Sequence, residues 1–242
     1  MKGFKKALTI LVIVLGPGVI IYILATNLSN KFVELPYLGE WTYKYGPDSS
    51  IVDSTAYVVP KFELTSFDGT IINRDSIEDK FIILSTLQDE CPLLEECGMS
   101  LYLFDQLILQ ELEQNQKNYS NVRVLSILTD MNGNPVEEGP SERFKEEMEE
   151  YDQNIWWATY GDPTPLFSFE YYGKDFMEHE SVASEGEIGD KAFVNSLVLI
   201  DKEGHIRGVT GAKKDSDIRN FFDLLKVLKK AEFDENWEKE HS

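Results

Sequence analysis

Residues 81–97 read FIILSTLQDECPLLEEC and contain both cysteines of the protein, Cys91 and Cys97. The first part, 81–87, is mostly apolar and rich in isoleucine and leucine, which predicts a buried strand. The run then stops at a polar turn with a Cys-Pro pair. Apolar residues recur at helical spacing beyond it, at Leu103, Phe104, Leu107, Ile108 and Leu112. The pattern therefore predicts a strand, a redox or metal loop, and a helix.

The flanking segments predict further strands and helices. They are a hairpin at 57–72 around Asp68-Gly69, a strand at 122–128, a helix from Ser141, a strand at 155–159, a second hairpin at 196–209 and a helix from Ser216. Strands that alternate with helices favour a parallel βαβ unit. We therefore expect an α/β protein with a thioredoxin-like three-layer α/β/α domain and an N-terminal β-hairpin extension.

Residues 7–26 are uncharged and nearly all aliphatic. A helix of that length spans the ~30 Å hydrocarbon core, and it exceeds the ~7–15 residues of a signal-peptide h-region. Because lysines precede the run and only Lys31 closely follows it, we expect one transmembrane helix with the N-terminus in the cytoplasm. The rest of the chain would then face the outer, periplasmic side of the cell (inner) membrane.

The predicted organisation has four parts. Residues 1–26 hold cytoplasmic lysines and the anchor, 27–55 form a tether, 56–231 form the α/β domain, and 232–242 form a charged tail that frays. Within the domain, 166–192 is aromatic at first and acidic later, which predicts a helix that leads into a surface excursion.

Charge excludes one class of partner. The chain has 43 acidic and 23 basic residues and a formal charge of -20. Because binding to a phosphate backbone requires clustered Lys and Arg, we expect no nucleic-acid partner.

Several short motifs occur in a common order between residues 56 and 228. They are Val59-Pro60-x-Phe62 with Asp68-Gly69, Cys91-Pro92, Ser126-Ile127-Leu128-Thr129-Asp130, Gly161-Asp162, and Leu199-Ile200-Asp201-Lys202-x-Gly204. In this order the chain resembles the Sco/SenC family. The resemblance implies a membrane anchor, a thioredoxin fold and a role in handling copper during cytochrome c oxidase assembly, with a protein client such as an oxidase subunit.

The cysteine spacing departs from the family pattern. Five residues separate Cys91 from Cys97, where the family has three, and Phe193-Val194-Asn195 stands where the family has its histidine. A regular helix from Pro92 would offset the cysteines by about 8–9 Å along its axis, too far for a disulfide. A shared site therefore requires 91–96 to form a loop, with the helix starting near Cys97.

Two interpretations of the cysteines stay open. In the first, Cys91 and Cys97 form a redox pair or bind copper as Cu(I) or Cu(II), and His179 is the candidate third ligand. In the second, the chain is a degenerate thioredoxin-fold protein-binding module with structural or idle cysteines and no metal. His205 and His241 are interpreted as bystanders, Met99 as a core residue, and Asp130 as either a residue of the functional edge or a turn former.

Other thiol chemistries are disfavoured. No proline lies between Pro165 and Ser196, where thioredoxin-like reductases place the cis-proline that docks substrate chains. The peroxiredoxin-type Thr-x-x-Cys is also absent, because Gln88 and Leu94 stand three residues before the thiols. We expect a metallochaperone or thiol-redox partner rather than an enzyme that turns over a small substrate.

Overall fold

The computed structural model describes residues 34–89, 104–130, 132–179, 192–212 and 214–241. The residues from Leu35 onward belong to one compact unit. The predicted transmembrane run at 7–26 lies outside these ranges. Among the helices within them, none has the length and apolar character needed to cross a bilayer.

The domain is built on a seven-stranded sheet. Its strands are β3 (Glu63–Ser66), β4 (Ile71–Asn73), β5 (Phe81–Gln88), β6 (Val122–Thr129), β7 (Trp156–Tyr160), β10 (Ser196–Ile200) and β11 (Ile206–Gly211). Their spatial order is β11-β10-β5-β6-β7-β3-β4. The pairs β5–β6 and β6–β7 are parallel, and the other pairs are antiparallel.

Two smaller sheets, five α-helices and three short 3-10 helices complete the described part of the chain, together with one π-helical turn. The sheets are the hairpins β1 (Thr42–Tyr45) with β2 (Ile51–Thr55) and β8 (Glu170–Tyr171) with β9 (Lys174–Asp175). The helices are α1 (Gln110–Gln114), α2 (Gln116–Tyr119), α3 (Glu142–Met148), α4 (Thr164–Phe167) and α5 (Asp215–His241). A π-helical turn, Asp105–Leu109, precedes α1.

The strand order confirms the predicted thioredoxin-like fold. Four strands lie in the order β11-β10-β5-β6; α1 and α2 connect β5 to β6, and α5 follows β11. The hairpin β3–β4 joins the sheet next to β7. All eight residues of β5 are buried, because β10 and β6 flank the strand and both faces of the sheet are covered. This double burial explains why its sequence is apolar rather than alternating.

Alternate residues of β5 pack into two separate cores. Phe81, Ile83 and Leu87 join the core formed with the helices between β5 and β6 and with α5. Ile82 and Leu84 join the core on the other face. The two cores show that both faces of the sheet are covered, since successive strand residues point to opposite faces. The helices α1, α3 and α5 contribute to the first core, and the second core includes Leu166 and Phe167 of the short helix α4.

The predicted helix after the cysteine loop is confirmed from Phe104 onward. Phe104, Ile108 and Leu112 are buried, and the Phe104 ring stacks on Trp156 with 4.9 Å between ring centroids. Leu103, the first residue of the predicted stripe, lies outside the described residues.

Within the segment 27–55, interpreted as a tether that packs partly on the domain, residues 42–55 form the hairpin β1–β2, with a turn closed by Gly46 N–H donating to Ser50 O at 2.8 Å. Two local predictions were wrong. The predicted helix after 166 ends at Phe167, because the backbone leaves the helical conformation at Ser168 (φ -85°, ψ 81°). The chain then forms the β8–β9 hairpin, whose turn residues Tyr172 and Gly173 both have positive φ. The last helix continues through the charged tail to His241 instead of fraying.

Candidate thiol and metal site at the carboxyl end of β5

Three segments of the chain meet at one edge of the sheet. β5 and β6 are parallel, with Gln88 opposite Thr129, so both strands end there. β10 is antiparallel to β5, with Val198 opposite Leu84, so β10 begins there. The carboxyl edge of parallel strands is the usual place for a functional site in an open α/β sheet. Cys91 and Cys97 follow β5 directly in sequence, but both lie outside the described residues, as does Met99.

Asp89 fixes the point at which the cysteine segment leaves the sheet. Its backbone N–H donates to Thr129 O at 3.0 Å and so extends the β5–β6 ladder by one residue. Its carboxylate accepts the backbone N–H of Ser141 at 3.0 Å to each oxygen, and the Ser141 hydroxyl at 3.1 Å. Ser141 is the N-cap of α3 and accepts the Phe144 N–H through the same hydroxyl oxygen. The base of the cysteine segment is therefore tied to both a strand and a helix.

The approach to β10 is attached to β5 at the same edge. A short 3-10 helix, Ala192–Asn195, precedes β10. The buried Thr86 hydroxyl of β5 donates to the carbonyl of Val194 in this helix at 2.5 Å. From the sequence, this region is notable only because Phe193-Val194-Asn195 stands where the family has its histidine; in the structure it is bonded to β5 at the site edge.

The backbone of His179 connects to this support. His179 follows the 3-10 turn Phe176–Glu178, and its carbonyl accepts the N–H of Ala192 at 2.8 Å. This bond joins the two ends of segment 180–191, which is outside the described residues. His179 is thereby linked through Ala192–Asn195 to Thr86, near the end of β5.

The His179 ring is held in one orientation. Its Nε2 lies 2.5 Å from the carbonyl oxygen of Tyr171, and the ring meets the Tyr171 ring edge-on with 5.6 Å between centroids. A carbonyl only accepts, so Nε2 is the donor in this contact, and in the neutral ring Nδ1 then carries the lone pair. Histidines that bind metals are commonly oriented in this way by a bond from the other ring nitrogen. The half-buried His179 thus has the tautomer of a ligand that would coordinate through Nδ1.

Asp130 serves as a turn former. Its carboxylate accepts the N–H groups of Asn132 and Asn134 at 2.8 Å and the Asn134 side-chain amide at 3.0 Å. Desolvation acts to raise the pKa of Asp130, but the hydrogen bonds from Asn134 and Asn132 outweigh it and hold the pKa below its ordinary value. The carboxylate is therefore ionised and engaged within its own turn.

The other histidines lie elsewhere. His205 stands at the turn between β10 and β11, at the opposite end of β10 from the cysteine edge, and its Nδ1 lies 2.8 Å from Tyr57 O. His241 ends α5. Within the described ranges, no three His, Cys, Asp or Glu residues come together as a metal site.

Sequence reasoning named Cys91, Cys97 and His179 as candidates but did not identify the contact between Asp89 and Ser141 at the end of β5. Asp89 and Ser141 carry a recognisable local signal, since a polar residue after a strand and a serine before a helix are common termini. Nothing local indicates that the two side chains are partners, because 52 positions separate them.

Several solved structures are similar to this chain. BsSco, described as a member of the Sco family of cytochrome c oxidase assembly proteins with a disulfide switch, is 16% identical; the match covers 71% of this chain and 93% of that chain, with a TM-score of 0.45. Copper-bound ScoI of Bradyrhizobium japonicum is 17% identical, with 71% and 99% covered and a TM-score of 0.44. The thiol peroxidase of Chromobacterium violaceum is 13% identical, with 81% and 93% covered and a TM-score of 0.44.

Proteins of the Sco family, which the sequence resembles, are therefore among the solved structures similar to this chain. No protein-family model and no curated protein matches it. The assignment of the thioredoxin-like fold rests on the strand order and connections described above.

Proposed function

We propose that this protein is a membrane-anchored, Sco/SenC-like copper chaperone or thiol-disulfide partner that acts through Cys91 and Cys97 in the assembly of a respiratory oxidase. The observation that supports it most is the position of the cysteine segment. It leaves the buried central strand β5 at Asp89, on the carboxyl edge of the sheet.

The donor set suits Cu(I) as cargo. Two thiolates are soft ligands that select Cu(I), and an imidazole nitrogen completes a three-coordinate site. Cys91 and Cys97 would supply the thiolates, and His179 Nδ1 would supply the third donor. The bond from His179 Nε2 to Tyr171 O fits this role, because it leaves Nδ1 available for the metal.

The same thiols could serve in disulfide exchange with a client. In that step one thiolate attacks a client disulfide, and the second thiolate displaces the client sulfur to close the Cys91–Cys97 disulfide. The client bond gains two electrons and the cysteine pair loses two, so no further oxidant is needed. The client disulfide would belong to an oxidase subunit or to another protein of the same assembly.

Peroxide reduction is a weaker candidate, although a thiol peroxidase is among the similar structures. The position three residues before each cysteine is Gln88 or Leu94 rather than the threonine of the peroxiredoxin pattern.

The proposed location follows from the sequence. Residues 7–26 would cross the inner membrane once with the N-terminus in the cytoplasm, and the domain would lie on the periplasmic side, where disulfides persist. Residues 27–55 would connect the anchor to the domain.

The test is a Cu(I) titration of the full-length chain in detergent, under reducing conditions and against a chromogenic Cu(I) chelator. The unaltered chain is expected to bind one Cu(I). Cys91→Ser and Cys97→Ser should each abolish this binding, and His179→Gln should weaken it. His241→Gln, at the end of α5, is the matched control and should bind as the unaltered chain does.

Two outcomes contradict the copper role. If the full-length chain binds no Cu(I), or if either serine variant retains full affinity, the cysteines do not form a copper site. A thiol assay then decides between the remaining roles. A disulfide that forms and opens reversibly supports redox exchange, whereas cysteines that neither bind copper nor pair support the alternative of a degenerate protein-binding module.

A further inference from the structure

The hairpin β1–β2 is exposed along its whole length. Every residue of both strands is exposed, and no third strand of the described chain pairs with either of them. A two-stranded hairpin of this kind is only marginally stable in water. The described chain therefore provides no packing partner for this hairpin.

The two faces of the hairpin differ in chemistry. Tyr43 and Tyr45 are two positions apart and share one face, and Ile51 is opposite Tyr45 in the register. Tyr45 and Ile51 are 64% and 58% exposed. Val52, the residue skipped at the bulge, is exposed as well.

The opposite face is polar. Lys44 and Asp53 are cross-strand partners with an ion pair at 2.9 Å, and Thr42 lies opposite Thr55. The hairpin is thus amphipathic. Its other face carries Tyr43, Tyr45 and Ile51 beside Ser54, the cross-strand partner of Tyr43, and is exposed in the described structure.

The chain immediately before the hairpin is attached to the main sheet. Leu38 forms an antiparallel bridge with Ile206 of β11, and its N–H donates to Ile206 O at 2.8 Å. Arg207 donates to Leu35 O at 2.7 Å and lies over the Tyr37 ring at 4.0 Å from its centroid. The position of Leu35 is therefore fixed relative to the domain.

The length of chain between Leu35 and the predicted span limits how far the domain can lie from the bilayer. Residues 27–34 separate the two, and a fully extended chain of that length reaches only about 30 Å. If residues 7–26 are in the membrane, the domain surface near Leu35 stays within that distance of the lipid. The hairpin follows Leu35 closely in sequence.

We propose that the Tyr43, Tyr45 and Ile51 face of the hairpin contacts the headgroup region of the bilayer that holds residues 7–26. This inference rests on the membrane anchor of the proposed function. Trp and Tyr are the residues that favour the membrane interface, because their rings combine an apolar body with a polar tip. Trp41, two positions before Tyr43, is 41% exposed and also meets the Tyr37 ring edge-on, with 5.9 Å between centroids, so it lies between the attached segment and the hairpin.

The hairpin binds a neutral lipid surface rather than an anionic one. Its side chains include Lys44, Asp48 and Asp53, so it has no basic cluster of the kind that recognises anionic headgroups. The attraction comes from burial of the aromatic and aliphatic face, in the manner of an interfacial amphipathic segment.

Trp41 provides an intrinsic reporter for this contact. The full-length chain is reconstituted into phosphatidylcholine vesicles with or without bromine on the acyl chains, and tryptophan emission is compared with that of Trp41→Phe. The predicted span contains no tryptophan, so it contributes nothing to the signal. Brominated lipid should quench the emission of the unaltered chain, and the quenching should be lost in Trp41→Phe.

Two double variants test whether the face with Tyr43 and Tyr45 makes the contact with lipid. Tyr43→Ser with Tyr45→Ser should reduce quenching to the level of Trp41→Phe, whereas Thr42→Ser with Thr55→Ser, on the polar face, should retain it. If the unaltered chain and Trp41→Phe are quenched equally, the hairpin does not contact the lipid. This comparison holds whether or not the serine variants keep the hairpin fold.

Alkaline extraction of the same vesicles separates the two proposals. If the chain remains with the lipid but Trp41 is not quenched, only the hairpin contact fails and the anchor stands. If the chain is extracted into the supernatant, the anchor fails and the hairpin contact fails with it.

Discussion

Both carboxylate oxygens of Asp89 accept the backbone N–H of Ser141 at 3.0 Å, and the Ser141 hydroxyl adds a third bond at 3.1 Å. Asp89 is the last described residue before the cysteine segment, and Ser141 begins α3. One side chain therefore connects the base of the candidate site to the N-terminus of a helix, where a negative charge is favourable.

Replacing Asp89 should destabilise the domain. Asp89→Ala removes hydrogen bonds to a charged acceptor and should lower the free energy of unfolding by about 2 kcal/mol. Ser141→Ala loses the helix cap and should cost about 1 kcal/mol. Urea unfolding of both single variants and the double variant measures the coupling. Strictly additive losses would show that the two side chains act independently.

Thr86→Val should destabilise the support of the site edge. Valine has nearly the same shape but cannot donate to Val194 O, so a buried carbonyl loses its partner, at a cost of about 1–3 kcal/mol. Amide hydrogen exchange at 192–195 should become faster. Thr55→Val, on an exposed strand, is the control and should change stability by less than about 0.5 kcal/mol. Unchanged exchange at 192–195 in Thr86→Val would contradict this role.

Arg207→Met should release the segment at 35–38. Arg207 pairs with the buried Asp201 at 3.0 Å and also holds Leu35 O. Breaking one side of a buried ion pair costs about 3–5 kcal/mol, because the other charge is left unpaired. Limited proteolysis should then cut near Leu35 sooner than in the unaltered chain.

A second variant separates charge from packing at this position. Adding Asp201→Asn to Arg207→Met removes the unpaired charge and should recover part of the lost stability. The Asn side-chain oxygen can still accept the backbone N–H of His205, which Asp201 accepts at 2.8 Å. A double variant that is no more stable than Arg207→Met would show that the ion pair is not the cause.

Stability should fall as the pH rises from about 10 to 12. Burial, with a smaller contribution from Asp175, raises the pKa of Tyr57 to about 12, while an unfolded tyrosine titrates near pH 10. Between these values the unfolded chain has lost the proton that the folded chain retains, so rising pH favours unfolding. Urea midpoints measured from pH 9 to 11.5 should show this decline.

Tyr57→Phe should make the decline shallower. It also loses the hydrogen bond from the Tyr57 hydroxyl to Ser168 O, 3.1 Å in length, which should lower stability by a similar amount at every pH below 10. Part of the slope should remain, because burial also raises the pKa of Tyr119, Tyr151 and Tyr171. An unaltered slope in Tyr57→Phe would contradict the assignment to Tyr57.

The buried strands and the buried helix faces could be predicted, because the burial of an element is reflected in the hydrophobic pattern of its own sequence. β5 and β6 are covered on both sides, so their sequences are apolar runs, and the helix that begins the crossover shows its buried face at helical spacing. The hairpin β1–β2 could not be predicted in this way, because its exposed residues form no pattern of burial.

The sequence by itself determined the α/β class, the place of Cys91 and Cys97 after the first core strand, and the uncharged run before the domain. Only the tertiary structure decided that Asp89 binds Ser141, that Thr86 holds Val194, and that Tyr171 orients His179. The reason is physical. Hydrophobic periodicity reports whether a position is buried, whereas a hydrogen bond between distant residues depends on how the strands are ordered in the sheet.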